Sequence, residues 1–199
     1  MKKIGSFVAL VIVLAAAFWV YRTRQNVKHV MRYEQAVSKS LAAQGLSNET
    51  NLALAIIYTE TKGRDTDVMQ SSESINGKTG EIVTQSESID QGIANLTKVL
   101  NYAASKKVDP WAGVQAYNYG KNYVDYVAKQ GGTNSLDLAK AYSRDVVAPS
   151  LGNKTGQTYY HLTLYSLLNN GGKLYTNGGN MFYAQEVKYH MALLRLFNW

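Results

Sequence analysis

Residues 51–74 read NLALAIIYTETKGRDTDVMQSSES, and this stretch decides the fold. From Leu52 to Tyr58 every residue is apolar or aromatic, which predicts a helix buried nearly all round rather than a surface helix with one wet face. Ser47 or Asn48 is the expected N-cap and Gly63 the expected stop. Glu60 then stands where a buried helix enters a cleft. Partial burial disfavours a charged carboxylate and raises its pKa, as a proton donor working near neutrality requires. Asp67, seven residues on among Arg64, Asp65, Thr66 and Gln70, is expected to be more solvated and to stay ionised. Two carboxyls tuned apart in this way suit the cleavage of a glycosidic bond.

The ordinary readings of these residues compete. Glu60 could be a helix-end residue paired with Lys62 or Arg64, and Asp67 an Asx-turn residue, with Asp65 as the fallback second carboxylate. Gln70, Ser72 and Glu73 either face a ligand or hydrogen-bond the loop to itself.

Further motifs extend the pattern. Met69-Gln70 and Ser71-Ser72-Glu73-Ser74 follow the second carboxylate, Ser88-Ile89-Asp90-Gln91-Gly92 opens a later helix, and Ala116-Tyr117-Asn118-Tyr119-Gly120 closes another. Over about residues 30–147 this set resembles the lysozyme-like muramidase domain of bifunctional cell-wall hydrolases of Gram-positive bacteria, within the lysozyme and lytic transglycosylase superfamily. The resemblance implies a mostly α, lysozyme-like fold and cleavage of the β-1,4 bond between N-acetylmuramic acid and N-acetylglucosamine in peptidoglycan. It implies Glu60 as general acid and Asp67 as second carboxylate, with Met69, Gln70, Ser71, Ser72, Glu73, Tyr117 and Asn118 binding substrate. No metal or organic cofactor is implied. Three positions depart from the family pattern: Thr61 for Ser, Lys62 for Gly, and Val68 for a Pro that would fix φ in the loop. The alternatives are a lytic transglycosylase using Glu60 alone and a non-catalytic peptidoglycan-binding protein.

Composition narrows the field. The formal charge of +7 resolves into five bases and no acid in residues 1–29, then sixteen bases against fourteen acids over the remaining 170 residues. A nucleic-acid partner needs a concentrated basic stripe, which the domain lacks. The absence of cysteine excludes disulfides, thiolate catalysis and Cys-based metal sites. With no Cys to serve as nucleophile, the resemblance implies that these residues hold the glycan-cleaving half without the papain-like peptidase domain that relatives of this type often carry. His29, His161 and His190 have no metal-ligand spacing.

Ile4–Tyr21 is an uncharged, mainly apolar run with Lys2-Lys3 before it and Arg22 after it. As a helix it spans about 27 Å, close to the hydrocarbon thickness of a bilayer. Ala15-Ala16-Ala17 would suit signal cleavage, but the run continues through Phe18, Trp19, Val20 and Tyr21, in the manner of an interfacial belt. A retained membrane anchor over 1–21 is therefore expected, then a basic linker over 22–30 and a domain over 31–199. The basic residues flanking the run do not orient it clearly; the resemblance places the domain on the cell-wall side.

Helices are expected at about 30–45, 48–60, 89–105, 110–119, up to 129, from Asn134 through Val146, 158–169 and 181–197, with 61–88 a long functional loop. Asp109-Pro110 is a well-formed start signal, and Asn134 with Asp137 resembles a cap. Strand signals are scarce.

Overall fold

A computed structural model describes residues 2–72, 82 and 84–198. Its centre is the helix read first from the sequence. This helix, α3 (Thr50–Glu60), buries every residue from Leu52 to Tyr58. Burying one such aliphatic side chain is worth about 1.5–3 kcal/mol, so α3 is held by packing from all sides rather than by its caps. The expected cap at Ser47 or Asn48 gives way to a 3-10 turn, Ser47–Glu49, feeding the helix at Thr50 without a side-chain cap. At the other end Lys62 and Gly63 take left-handed backbone conformations, and the chain turns out of the helix there.

Two helices precede α3. The first, α1 (Lys2–Met31), runs without a break; the second, α2 (Glu34–Ala43), packs on α3. The apolar part of α1 is exposed from Phe7 to Tyr21, and the helix is long and apolar enough to cross a membrane. Residues 22–30, expected as a linker, are its helical continuation. Thr23, Asn26, Val27 and Val30 are buried against α3 and the C-terminal helix. The sequence hid this because Arg22 and Lys28 are exposed on a helix whose other face belongs to the core.

After the functional loop, Thr84 and Glu87 form a capping box that starts α4 (Gln85–Ser105). Asp109 caps α5 (Pro110–Tyr119) by accepting from the Trp111 N–H. Then come α6 (Asn122–Lys129) and α7 (Leu136–Tyr142). Ser135, rather than Asn134, caps α7; the Asn134 side chain instead accepts the Tyr123 hydroxyl at 2.6 Å. A π-turn, Ser143–Val147, continues into the helical turn Ala148–Ser150.

The helix expected at 158–169 is shorter. Residues Thr158–Tyr160 form β1, which pairs antiparallel with β2 (Lys173–Tyr175), and α8 (Leu164–Asn170) bridges the two strands. The Tyr-Tyr pair and flanking Thr favour an extended backbone, while Thr163 caps the helix that follows. The chain ends in α9 (Tyr183–Phe197), which packs along α3 and α1. The architecture is mostly α, as the sequence predicts.

Candidate active site

A cleft of about 670 Å³ opens beside the C-terminal end of α3. It is lined by Glu60, Asp65, Thr66, Asp67, Gln70 and Ser72 from the end of α3 and the loop after it, and by Tyr117, Asn118, Tyr119 and Lys121 from the end of α5 and the turn after it.

Glu60 keeps a window onto this cleft while protein surrounds most of its carboxyl. Its Oε1 accepts the Tyr183 hydroxyl at 2.6 Å. Burial pushes its pKa from the usual 4.5 up to about 7; the Tyr183 hydrogen bond opposes this, and the charges of Asp67 and Glu186 add to it. Desolvation is thus the dominant cause. A carboxyl so tuned carries its proton about half the time near neutrality.

Asp67 is tuned in the other direction. Burial alone would raise its pKa, but hydrogen bonds from the Ser72 and Ser88 hydroxyls and from the Ser71 and Ser72 N–H groups outweigh it and hold the carboxyl below the usual range. The Oδ1 atom accepts the Ser71 N–H at 2.9 Å, the Ser71 hydroxyl at 3.2 Å and the Ser88 hydroxyl at 2.6 Å. The Oδ2 atom accepts the Ser72 N–H at 3.0 Å and the Ser72 hydroxyl at 2.6 Å. Asp67 therefore stays ionised because five donors surround it, rather than because water does.

The remaining predicted residues divide. Gln70 is exposed on the cleft with φ +47°, its amide donating to the Asp67 carbonyl at 3.1 Å. Ser72 borders the cleft but spends its hydroxyl on Asp67. Ser71 is buried, its hydroxyl shared between Asp67 and the Ser88 carbonyl, so its role is to hold the loop. Met69 does not line the cleft. Its side chain is fully buried against Gly92, where an added Cβ would lie 2.6 Å from the Met69 Cβ and Sδ. Its backbone accepts the Tyr117 hydroxyl at 2.9 Å and donates to Ser88. The expected contact at Glu73 lies outside the described residues.

Tyr117 stacks on Tyr183 with ring centroids 6.2 Å apart, so one aromatic pair braces both the acid and the loop. Asn118 Oδ1 accepts the Asn180 N–H at 2.8 Å, which leaves its amide NH2 for the cleft. Among the departures, the Thr61 hydroxyl donates to the Val68 carbonyl at 2.9 Å and accepts the Gly63 N–H at 3.1 Å. Val68 is fully buried and holds the loop by packing where a Pro would hold it by φ. Lys62 is exposed and absent from the cleft lining.

Sequence reasoning missed several residues. Ser88 lay inside a quoted motif but read only as a helix start. Tyr183 stands 123 residues from Glu60, and nothing local marks it among fifteen tyrosines. Glu186 is buried yet ionised: burial raises its pKa, and hydrogen bonds from His161, Asn180 and Thr163 more than reverse this. His161 bonds Glu186 at 3.1 Å. His190 bonds Thr59 at 2.8 Å and stacks on Tyr58; burial lowers its pKa to about 4, so it is neutral. Among the described residues no group of three or more His, Cys, Asp or Glu could hold a metal ion.

A mostly helical domain with a buried helix ending in this cleft is of the lysozyme class. The family model for lysozyme-like domains matches residues 27–191, and the chain belongs to that family of peptidoglycan-acting hydrolases and transglycosylases. It is 45% identical over 196 residues to pneumococcal vaccine antigen A of Streptococcus pneumoniae, covering 98% of this chain and 96% of that one. It is 35% identical over 124 residues to the bifunctional muramidase/DL-endopeptidase CwlT of Bacillus subtilis, covering 62% of this chain and 37% of that one. A crystal structure from Staphylococcus aureus, described as similar to lipoprotein, NLP/P60 family, superposes with a TM-score of 0.74 at 30% identity. The match covers 82% of this chain and 52% of that one.

Proposed function

We propose that the protein is an N-acetylmuramidase that cuts peptidoglycan glycan strands. The observation that carries this reading is that one open cleft is lined both by a carboxyl held near pKa 7 and by one held below the usual range. Glu60 donates its proton to the glycosidic oxygen as the bond to the muramoyl C1 breaks. Asp67 stabilises the positive charge that develops there. Water then adds at C1 and returns its proton to Glu60. Asn118 and Gln70 present amides to the sugar substituents, and the helix α1 anchors the domain at the membrane, on the wall side.

One observation favours a second reading. Because Asp67 already accepts five hydrogen bonds, it is better suited to act as a fixed charge than as nucleophile or base. In lytic transglycosylation Glu60 serves alone as acid and then base, and the muramoyl C6 hydroxyl attacks C1 in place of water.

Digestion of purified walls separates these readings. Hydrolysis gives products with a free reducing end, whereas transglycosylation gives 1,6-anhydro-muramic ends one water lighter. Wall binding without cleavage by the natural protein would overturn both and leave a binding module.

A further inference from the structure

The segment that the sequence misread as one helix carries an apolar surface that the proposed catalysis does not use. Tyr159 and Tyr160 on β1, Leu162 before α8, and Leu164, Leu167 and Leu168 on α8 are all exposed, Leu162 and Leu168 at 70% and 75%. Leu164, Leu167 and Leu168 stand at i, i+3 and i+4, on one face of the helix. A monomeric soluble domain rarely leaves so many large aliphatic side chains together in water.

We propose that this face rests on the lipid surface of the membrane in which α1 is anchored; the inference depends on α1 being a membrane span. Three observations select lipid as the occupant. First, α1 enters the domain without a break, so the span fixes which flank of the domain lies nearest the bilayer. Asn26 meets Tyr58, Tyr58 stacks on His190, and Trp19 meets Phe197; α9 therefore runs antiparallel to α1, back toward the membrane. Tyr165 of α8 packs on Tyr189 of α9, eight residues or about 12 Å from the level of Trp19. A span tilted by about 20° brings one flank of such a domain down onto the headgroups.

Second, the charge is complementary. No Asp or Glu occurs between Val146 and Gln185, and the only acid from there to the C-terminus is Glu186, which is buried. Lys154, Lys173, Lys188 and Arg195 fall in the same stretch of sequence and are exposed, with Lys173 on the patch itself over Tyr160 and Lys188 over Trp111 of α5. The exposed side-chain charges of this stretch are therefore positive, as contact with anionic lipid favours. Third, tyrosines beside leucines, with Lys173 over the Tyr160 ring at 5.5 Å, are the composition of an interfacial surface. With two points of contact, span and patch, the cleft is held at a set height and angle to the wall.

The cysteine-free chain allows single-label tests. The full chain, with an environment-sensitive fluorophore at Leu167→Cys, is reconstituted into vesicles of phosphatidylglycerol and phosphatidylcholine carrying nitroxide lipids. Val13→Cys in the span and Lys129→Cys on α6 are the references. The expected result is blue-shifted emission and nitroxide quenching at position 167, between the two references and reduced in pure phosphatidylcholine. A 167 label as water-exposed as that at 129, with 13 quenched, overturns the proposal alone. A blue-shifted 167 label that escapes lipid quenching and depends on protein density identifies a second copy as the occupant and also overturns it. An unquenched label at 13 removes the anchor and this inference with it. None of these outcomes bears on the chemistry of Glu60.

Discussion

Replacing Glu60 by Gln should abolish wall cleavage and, at alkaline pH, stabilise the fold. The folded state holds the Glu60 pKa at about 7 against the usual 4.5. The unfolded chain therefore releases this proton first as pH rises. Below the unfolded value both states are protonated and Glu60 contributes no penalty. Between the two values stability falls with pH, because the folded state binds more protons. Above about 7 the penalty is complete, and a displacement of roughly 2.5 units corresponds to about 3 kcal/mol. Gln is neutral, has the same shape, and its amide oxygen still accepts the Tyr183 hydroxyl, so the penalty disappears. Urea unfolding of the full chain in detergent micelles measures the difference. At about pH 8.5 the variant should be more stable by about 2–3 kcal/mol, and at about pH 4 it should match the parent. An equal difference at both pH values, or a less stable variant at the higher one, would refute the claim that desolvation of Glu60 sets its proton affinity.

Tyr183→Phe keeps the ring stacked on Tyr117 but removes the hydrogen bond to the charged form of Glu60. A hydrogen bond to a charged group is worth about 1.5–3 kcal/mol, so the alkaline limb of the kcat/KM profile should move up by about one to two pH units; an unmoved limb would show that the hydroxyl does not tune the acid. Gly92→Ala would put a methyl 2.6 Å from Met69, and overpacking of this kind costs about 1–3 kcal/mol. Its urea midpoint should fall and its cleavage rate with it, since Met69 holds both Tyr117 and Ser88; unchanged values would mean that the Asp67 loop is not braced by α4. Asp67→Asn should impair hydrolysis by removing the charge beside the developing cation, whereas activity close to the parent's would favour the transglycosylase reading.

Much of the fold was legible because its signals are local. The run from Leu52 to Tyr58 can only be buried, Asp109-Pro110 can start a helix with its own side chain and ring, and the apolar run ending at Trp19 and Tyr21 marks itself by composition. The position of Glu60 at the end of a buried helix was legible for the same reason. The 22–30 segment was not, since exposed Arg22 and Lys28 mask a buried face that exists only once α3 and α9 pack against it. The strands at 158–160 and 173–175 were hidden because their pairing partners lie 13 to 17 residues apart around a helix.

What the sequence by itself determined is which groups are present: a carboxyl at a helix end, a second one seven residues later, a Tyr-Asn pair, no thiol. Only the tertiary structure decided how tightly each carboxyl holds its proton. Proton affinity is set by solvent access and by neighbours within a few ångströms, and these come from distant parts of the chain. Tyr183 arrives from α9 to bond Glu60, and Ser88 from α4 to complete the donors around Asp67. Met69 and Ser71, adjacent in sequence to the cleft residues, turn inward because the loop that carries Asp67 must bury an apolar anchor and satisfy a charge before it can present either to a ligand.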